Sequence, residues 1–113
     1  MRAGVLIVDD HTSFRRFARW RLVAEGFDVV GEAGALRPDV VLLDVQLPDV
    51  DGFRVALELT AHEPSPAVVL VSSRARSDYG SLVDASRAVG FLTKADLNGA
   101  TLARVLNPPP CAG

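Results

Sequence analysis

Residues 38–52 read PDVVLLDVQLPDVDG, a nearly continuous aliphatic run at 40–43 that stops at a carboxylate, Asp44. A run of that kind, without polar alternation, suits a strand of a parallel sheet covered on both faces. Two stretches share the form, GVLIV at 4–8 and VVLV at 68–71, and a shorter one lies at 91–92. Residues 28–33 form a weaker candidate, read as an edge strand. Helical patterns separate these runs. Phe14, Phe17, Ala18, Arg21 and Leu22 recur at i, i+3 and i+4 on a helix expected to end near Gly26. Phe53, Ala56, Leu57 and Thr60 repeat that spacing behind Asp51, a good N-cap type. Tyr79, Leu82 and Val83 predict a third helix with Ser77 as its cap. Residues 97–106 predict a fourth behind Asp96, ended by the prolines at 108–110. Strands alternating with helices predict an α/β doubly wound fold. In that architecture ligands sit at the carboxyl ends of the strands.

The chain has 113 residues, enough for one domain with a real core. Hydrophobic residues at 49% and charged residues at 23% are an ordinary globular balance. A net charge of −2 offers no basic footprint, which argues against direct nucleic-acid binding. No apolar run approaches the roughly 18 residues of a membrane span. Asp9 and Asp10 come too early for a secretory leader. The lone Cys111 gives no disulfide framework and fits a reducing compartment, so a cytoplasmic location is expected. The expected division is one domain over 1–107 and a Pro-rich tail over 108–113, with nothing beyond Leu106 to form a second domain.

The first strand ends in Asp9 and Asp10, the strand of the quoted stretch in Asp44, the next in Ser72 and Ser73, and the last in Thr93 and Lys94. Three carboxylates on one sheet edge repel, raising at least one pKa unless a cation offsets them. Hard oxygen donors in that number favour Mg²⁺. An ionised aspartate beside such a cation can act as a nucleophile toward phosphorus and form an aspartyl phosphate. Lys94 and Ser72 can supply the positive charge and the hydrogen-bond donor that phosphoryl transfer needs.

In order along the chain, VLIVDDH at 5–11, PDVVLLDVQLPDVDG at 38–52, VVLVSS at 68–73 and GFLTKADL at 90–97 resemble the receiver domain of bacterial two-component response regulators. The likeness runs over almost the whole chain and is nearest to receivers that precede helix-turn-helix output domains. It implies a flavodoxin-like five-stranded parallel sheet of strand order 2-1-3-4-5. It implies that Asp44 accepts a phosphoryl group from a histidine kinase. Mg²⁺ (or Mn²⁺) would be held by Asp10 directly, by Asp9 mostly through water, by Asp44, and by the backbone carbonyl of Gln46. Lys94 would contact the phosphoryl group, Ser72 would be the hydroxyl that moves toward it, and Phe91 the aromatic that follows. Pro48 and Gly52 would shape the loop after the acceptor, and Gln46 and Arg74 would tune dephosphorylation. Such a domain is not an enzyme on a separate substrate; it assists its own phosphorylation and dephosphorylation. Its signal would pass by contact with an unknown downstream protein, with no direct role for nucleic acid or membrane.

Plainer readings stand beside these. Asp9 or Asp10 alone reads as a helix cap, Lys94 as a solvated loop lysine, and Phe91 as core. Ser73 is a rival to Ser72, but strand alternation and the spacing to Lys94 favour Ser72. Arg15, Arg16, Arg19 and Arg21 give the first helix a basic, solvated side on which Trp20 is partly exposed; in the family this helix meets the kinase. His11 reads as a loop residue, not a metal ligand, and His62 as a partner of a helix dipole. Residues 49–53 resemble the DxDG signature of haloacid-dehalogenase-type phosphatases. That reading is rejected because this aspartate follows Pro48 instead of ending the apolar run.

One departure from the family is plain. Only Gly34, Ala35 and Leu36 separate GEA at 31–33 from RPDV at 37–40. Parallel strands normally need a crossover of a dozen or more residues. The six residues of 34–39 span at most about 20 Å. The second helix is therefore expected to be missing or vestigial. The link would then cross tightly, let the second strand exchange between subunits, or leave an apolar face for a partner. A homodimer or swapped dimer is the favoured outcome. The runner-up function is a receiver-like interaction or dimerisation module that is not phosphorylated.

Overall fold

β3 (Val40–Asp44) is buried at every residue, and it is the middle strand of the sheet. The structure, a computed structural model, describes residues 4–30, 38–48, 50–61 and 65–107. Besides β3 its strands are β1 (Gly4–Val8), β2 (Asp28–Val30), β4 (Ala67–Ser72) and β5 (Gly90–Thr93). They form one parallel sheet in the order β2-β1-β3-β4-β5. Helix α1 (Thr12–Ala24) follows β1, α2 (Gly52–Leu59) follows β3, α3 (Leu82–Ala85) follows β4 and α4 (Gly99–Leu106) follows β5, the last two after short 3₁₀ turns at Arg76–Asp78 and Lys94–Asp96. The doubly wound α/β expectation and its strand order both hold.

Alternation along the strands divides the core into two halves. Val40, Leu42, Val69 and Val71 pack with Ala18 and Leu22 of α1 and Leu102 of α4. Val41, Leu43, Val68 and Leu70 pack with Phe53 and Ala56 of α2 and Val83 of α3. The strand starts are tied by Asp39. Its Oδ2 accepts from the Gly4 N–H at 2.8 Å. Its own N–H donates to the Gly4 carbonyl, and its carbonyl accepts from Ala67 N–H, both at 2.9 Å. The shortened link expected at 34–39 lies outside the described residues except for Pro38 and Asp39. So do the continuation of the edge strand beyond Val30, His62, and the expected tail at 108–113 with Cys111.

The helix boundaries show where pattern reading succeeds and where it slips. α1 ends as expected: Gly26 sits at φ 98°, with Phe27 N–H donating to Leu22 O and Gly26 N–H to Val23 O. That pair of bonds needs the left-handed conformation glycine adopts freely. Phe14, Ala18 and Leu22 form the inward stripe, but Phe17 lies at its margin and is 44% exposed. On α2, Asp51 Oδ1 accepts from Phe53 N–H at 2.9 Å, so the cap is the expected one, whereas Leu57 faces outward. The third helix is a single turn. Ser77 does not cap it, because it lies inside the Arg76–Asp78 turn. Nor does Asp96 cap the last helix. Asn98 does so, accepting from Thr101 N–H at 2.9 Å while its own N–H donates to Thr101 Oγ1 at 3.0 Å. This is a capping box with threonine in place of the usual Glu or Gln. Gly99 N–H also donates to the Glu25 carboxylate at the end of α1, a bond spanning 74 positions.

Gly52 is where the α2 start presses hardest on β3. A Cβ there would lie 2.5 Å from the Asp44 carbonyl oxygen and 2.7 Å from Val45 Cα, both backbone atoms. Gly52→Ala is therefore expected to destabilise the domain by about 1–3 kcal/mol, as overpacking does, despite alanine's better helix propensity. Chemical denaturation measures this; an unchanged midpoint would show that the loop can give way.

Candidate functional site

The carboxyl edge of the sheet brings β1, β3 and β5 to one point. Asp9 and Asp10 follow β1 directly, Asp44 is the last residue of β3, and Lys94 follows β5. Because the strands are parallel and in register, Val8 pairs with Leu43, so the residues after them converge. Asp44 is 2% exposed and Asp9 6% exposed, while Asp10 reaches into solvent.

Lys94 sits between the two buried carboxylates. Its Nζ lies 2.6 Å from Asp9 Oδ2 and 3.4 Å from Asp44 Oδ2, and 4.6 Å above the Phe14 ring. Asp9 Oδ1 accepts the His11 backbone N–H at 2.8 Å. The backbone carbonyl of Asp9 accepts from Arg15. Asp44 Oδ1 accepts the Gln46 N–H at 3.0 Å, a bond made possible by the turn that pairs Gln46 with Asp51.

Burial acts on both carboxylates but with opposite net results. Burial pushes Asp9 up, yet the bonds from Lys94 and His11 outweigh it, and its pKa falls below the usual value. Burial also pushes Asp44 up, helped by the nearby Asp9 charge. The Gln46 N–H and Lys94 only partly offset this, so its pKa is raised. Burial, with the Asp9 charge added to it, thus raises Asp44, while the lysine favours Asp9.

His11 lies in the loop before α1, as expected, and its ring joins the cluster. Nδ1 lies 2.9 Å from Asp9 Oδ1, 3.2 Å from Asp10 Oδ1 and 3.9 Å from Asp44 Oδ2. Lys94 Nζ is 3.4 Å away; the shorter carboxylate contacts assign the proton to Nδ1, donated toward Asp9. One donor atom from each of Asp9, Asp10, His11 and Asp44 lies within 4.8 Å of all the others. Three hard carboxylates at such spacing fit a divalent cation that takes oxygen ligands. Asp9 Oδ2 is buried with the Lys94 ammonium 2.6 Å away as its partner among the described residues, so a cation held by these carboxylates would share that oxygen with the lysine.

Ser72, fully buried at the end of β4, accepts the Arg74 N–H at 3.0 Å and lies 2.6 Å from the Tyr79 hydroxyl. Ser73 and Arg74 are exposed. Phe91 is partly buried, its ring 5.9 Å from that of Tyr79, which also meets Phe53 edge-on at 5.4 Å. Sequence reading thus missed two participants, the His11 ring and the Tyr79 hydroxyl. The first was signalled by its place directly after the paired aspartates. The second carried no signal beyond a tyrosine seven residues after Ser72.

Comparison with known proteins gives one family. The family model for the response regulator receiver domain matches residues 5–105. Among curated relatives, the DNA-binding transcriptional activator DevR/DosR of Mycobacterium tuberculosis is 36% identical over 115 aligned positions, covering 90% of this chain and 52% of that protein. A protein-glutamate methylesterase/protein-glutamine glutaminase of Pseudoalteromonas translucida is 35% identical, covering 83% of this chain and 27% of that one. The chain therefore spans about a quarter to about half the length of these relatives. Among solved structures, the signal receiver domain of the response regulator NarL from Mycobacterium tuberculosis superposes with a TM-score of 0.78 at 30% identity, covering 94% of this chain and 98% of that one. Chemotaxis protein CheY4 of Vibrio cholerae gives 0.76 at 25% identity, covering 94% and 97%. With its sheet order, its acidic strand edge and a family match over nearly its full length, this chain belongs to the response regulator receiver domains of two-component signal transduction.

Proposed function

We propose that the domain is a phosphorylation-dependent switch in which Asp44 accepts a phosphoryl group from a histidine kinase. The single observation that carries this reading is a buried aspartate of raised pKa placed beside a lysine and a second buried aspartate at the strand edge. Asp9, Asp10, Asp44 and the Gln46 carbonyl would hold Mg²⁺ (or Mn²⁺), which when bound supplies positive charge against the transferring phosphoryl oxygens.

The chain's own groups divide the remaining work. Asp44 Oδ1 is engaged by Gln46 N–H, which leaves Oδ2 as the attacking atom. Oδ2 forms the P–O bond as the P–N bond to the donor imidazole breaks, and the electron pair stays on the leaving nitrogen. Burial keeps this carboxylate poorly solvated and therefore more basic when ionised, which favours attack. Lys94 lies within reach of a phosphoryl group on Oδ2 and offers charge there. Ser72 supplies a hydroxyl, and Phe91 follows its movement. Around α1, Arg16, Arg19, Trp20, Val23 and Ala24 line an open groove of about 560 Å³, with Trp20 68% exposed; this is the proposed kinase-facing surface. The functional unit is proposed to span 1–107.

Incubation with Mg²⁺ and acetyl phosphate, read by intact mass and sizing, is expected to give one phosphoryl adduct that Asp44→Asn loses. An adduct that persists on another residue would overturn the acceptor assignment. A wild-type chain that takes no adduct and stays a constitutive dimer would favour the interaction-module reading. Mg²⁺ at about a hundred times its Kd should stabilise the fold by roughly 2.7 kcal/mol. Thermal melts should show that gain reversed by chelator and reduced in Asp10→Asn.

The raised Asp44 pKa also has a stability consequence. A carboxyl group whose folded pKa lies above its unfolded value favours the fold when protonated, and that contribution is lost as pH rises through the folded pKa. Ionised Asp44 therefore burdens the fold at neutral pH. In chelated buffer at pH 7, Asp44→Asn is expected to melt above wild type, because Lys94 keeps its 2.6 Å partner in Asp9. The gap should close as pH falls through the raised Asp44 value. A variant less stable than wild type at pH 7 would contradict this.

A further inference from the structure

We propose that Tyr79 is a positioning residue for the switch hydroxyl: its phenol holds Ser72 in the unloaded domain and releases it when Asp44 carries a phosphoryl group. The proposal rests on the phospho-acceptor reading above and adds to it a residue that the sequence did not single out for this role. Ser72 lies on the sheet face of Val68 and Leu70 and is fully buried. Its Oγ has three hydrogen-bonding positions, one proton and two lone pairs. One lone pair takes the Arg74 N–H at 3.0 Å, and the 2.6 Å contact with Tyr79 Oη takes a second position. A rotation of the side chain that carries Oγ toward a phosphoryl group on Asp44 breaks that short contact together with the bond from Arg74. Among the described residues it is the Tyr79 hydroxyl's one hydrogen bond. Tyr79 is only partly buried, so water can replace Ser72 as its partner.

The same ring contacts two further aromatic side chains. Phe53 meets it edge-on at 5.4 Å from the first turn of α2, which is packed against the Asp44 carbonyl through Gly52. Phe91 lies 5.9 Å away on β5, three residues before Lys94. One side chain therefore touches the switch hydroxyl, the aromatic proposed to follow it, and the helix behind the acceptor. Its backbone belongs to the turn between the Arg76–Asp78 segment and the one-turn α3, next to Gly80 at φ 57°. Release of the phenol therefore acts on a segment with little helical hydrogen bonding of its own to resist it.

The chain contains one tyrosine, so 3-fluorotyrosine labelling gives a single protein ¹⁹F resonance that reports Tyr79. The full chain is titrated with Mg²⁺ and beryllofluoride, whose bound form gives its own ¹⁹F signals in the same spectrum. The expected result is a shift of the tyrosine resonance in step with the bound fluoroberyllate signals. In Ser72→Ala the resonance should start from a different position and move less on loading. Tyr79→Phe keeps the ring and removes the phenol. It should bind beryllofluoride roughly threefold to tenfold more tightly, the range that one net hydrogen bond covers. Bound fluoroberyllate with an unmoved tyrosine resonance, or an unchanged affinity in Tyr79→Phe, overturns the positioning role and leaves the acceptor reading intact. No bound fluoroberyllate in either protein overturns both. If Tyr79→Phe does not fold, the wild-type resonance still decides.

Discussion

One ammonium group organises the carboxyl edge of this domain. Lys94 brings positive charge from the end of β5 to two buried carboxylates, one after β1 and one ending β3. Buried carboxylates are costly unless paired, and these two share a single cation unequally. Asp9 takes the close contact and its pKa falls; Asp44 takes the remote one, which only partly offsets the burial that raises its pKa. The sheet order follows the same constraint. With β1 beside β3, and β4 between β3 and β5, these residues meet at one edge. Two chemically identical side chains are thereby set apart: the bonds from Lys94 and His11 hold Asp9 below the usual carboxylate pKa, while burial, with the Asp9 charge added, raises Asp44 above it.

Much of this was legible in the sequence because it depends on strand ends. Aliphatic runs that stop at Asp9, Asp44, Ser72 and Lys94 specify both the sheet and what sits at its edge, and parallel register does the rest. Reading was weaker where the decisive contact is a side-chain hydrogen bond across elements. The Asn98–Thr101 box starts α4 two residues later than Asp96 would, and threonine in its third position hides it from a search for Glu or Gln. The apolar stripe of α1 includes Phe17 by spacing, yet the helix turns its inner face along Phe14, Ala18 and Leu22. Tyr79 looked like a helix anchor, and what sets its position is the company of Ser72, Phe53 and Phe91, residues distant in sequence or on other elements.

Membership of the receiver family and the geometry of the pocket answer different questions. The first assigns the fold and the signalling class to residues 5–105. The second says which atom is free to react. Gln46 N–H occupies one oxygen of Asp44, and Lys94 faces the other. The His11 ring stands at the solvent side of the cluster, against Asp9 and Asp10. Any group that reaches Asp44 from that side therefore passes an imidazole as well as carboxylates.

The bond from Gly99 to the Glu25 carboxylate joins α4 to the end of α1 across 74 positions. Contacts of such separation form only after the intervening chain is in place, and loop closure must be met before they contribute. During synthesis, β1, α1 and β3 leave the ribosome with their acidic residues already present but with neither Lys94 nor Gly99 yet made. The charge that offsets Asp9 and Asp44 therefore reaches them from the far side of the sheet, with the docking of β5 beside β4.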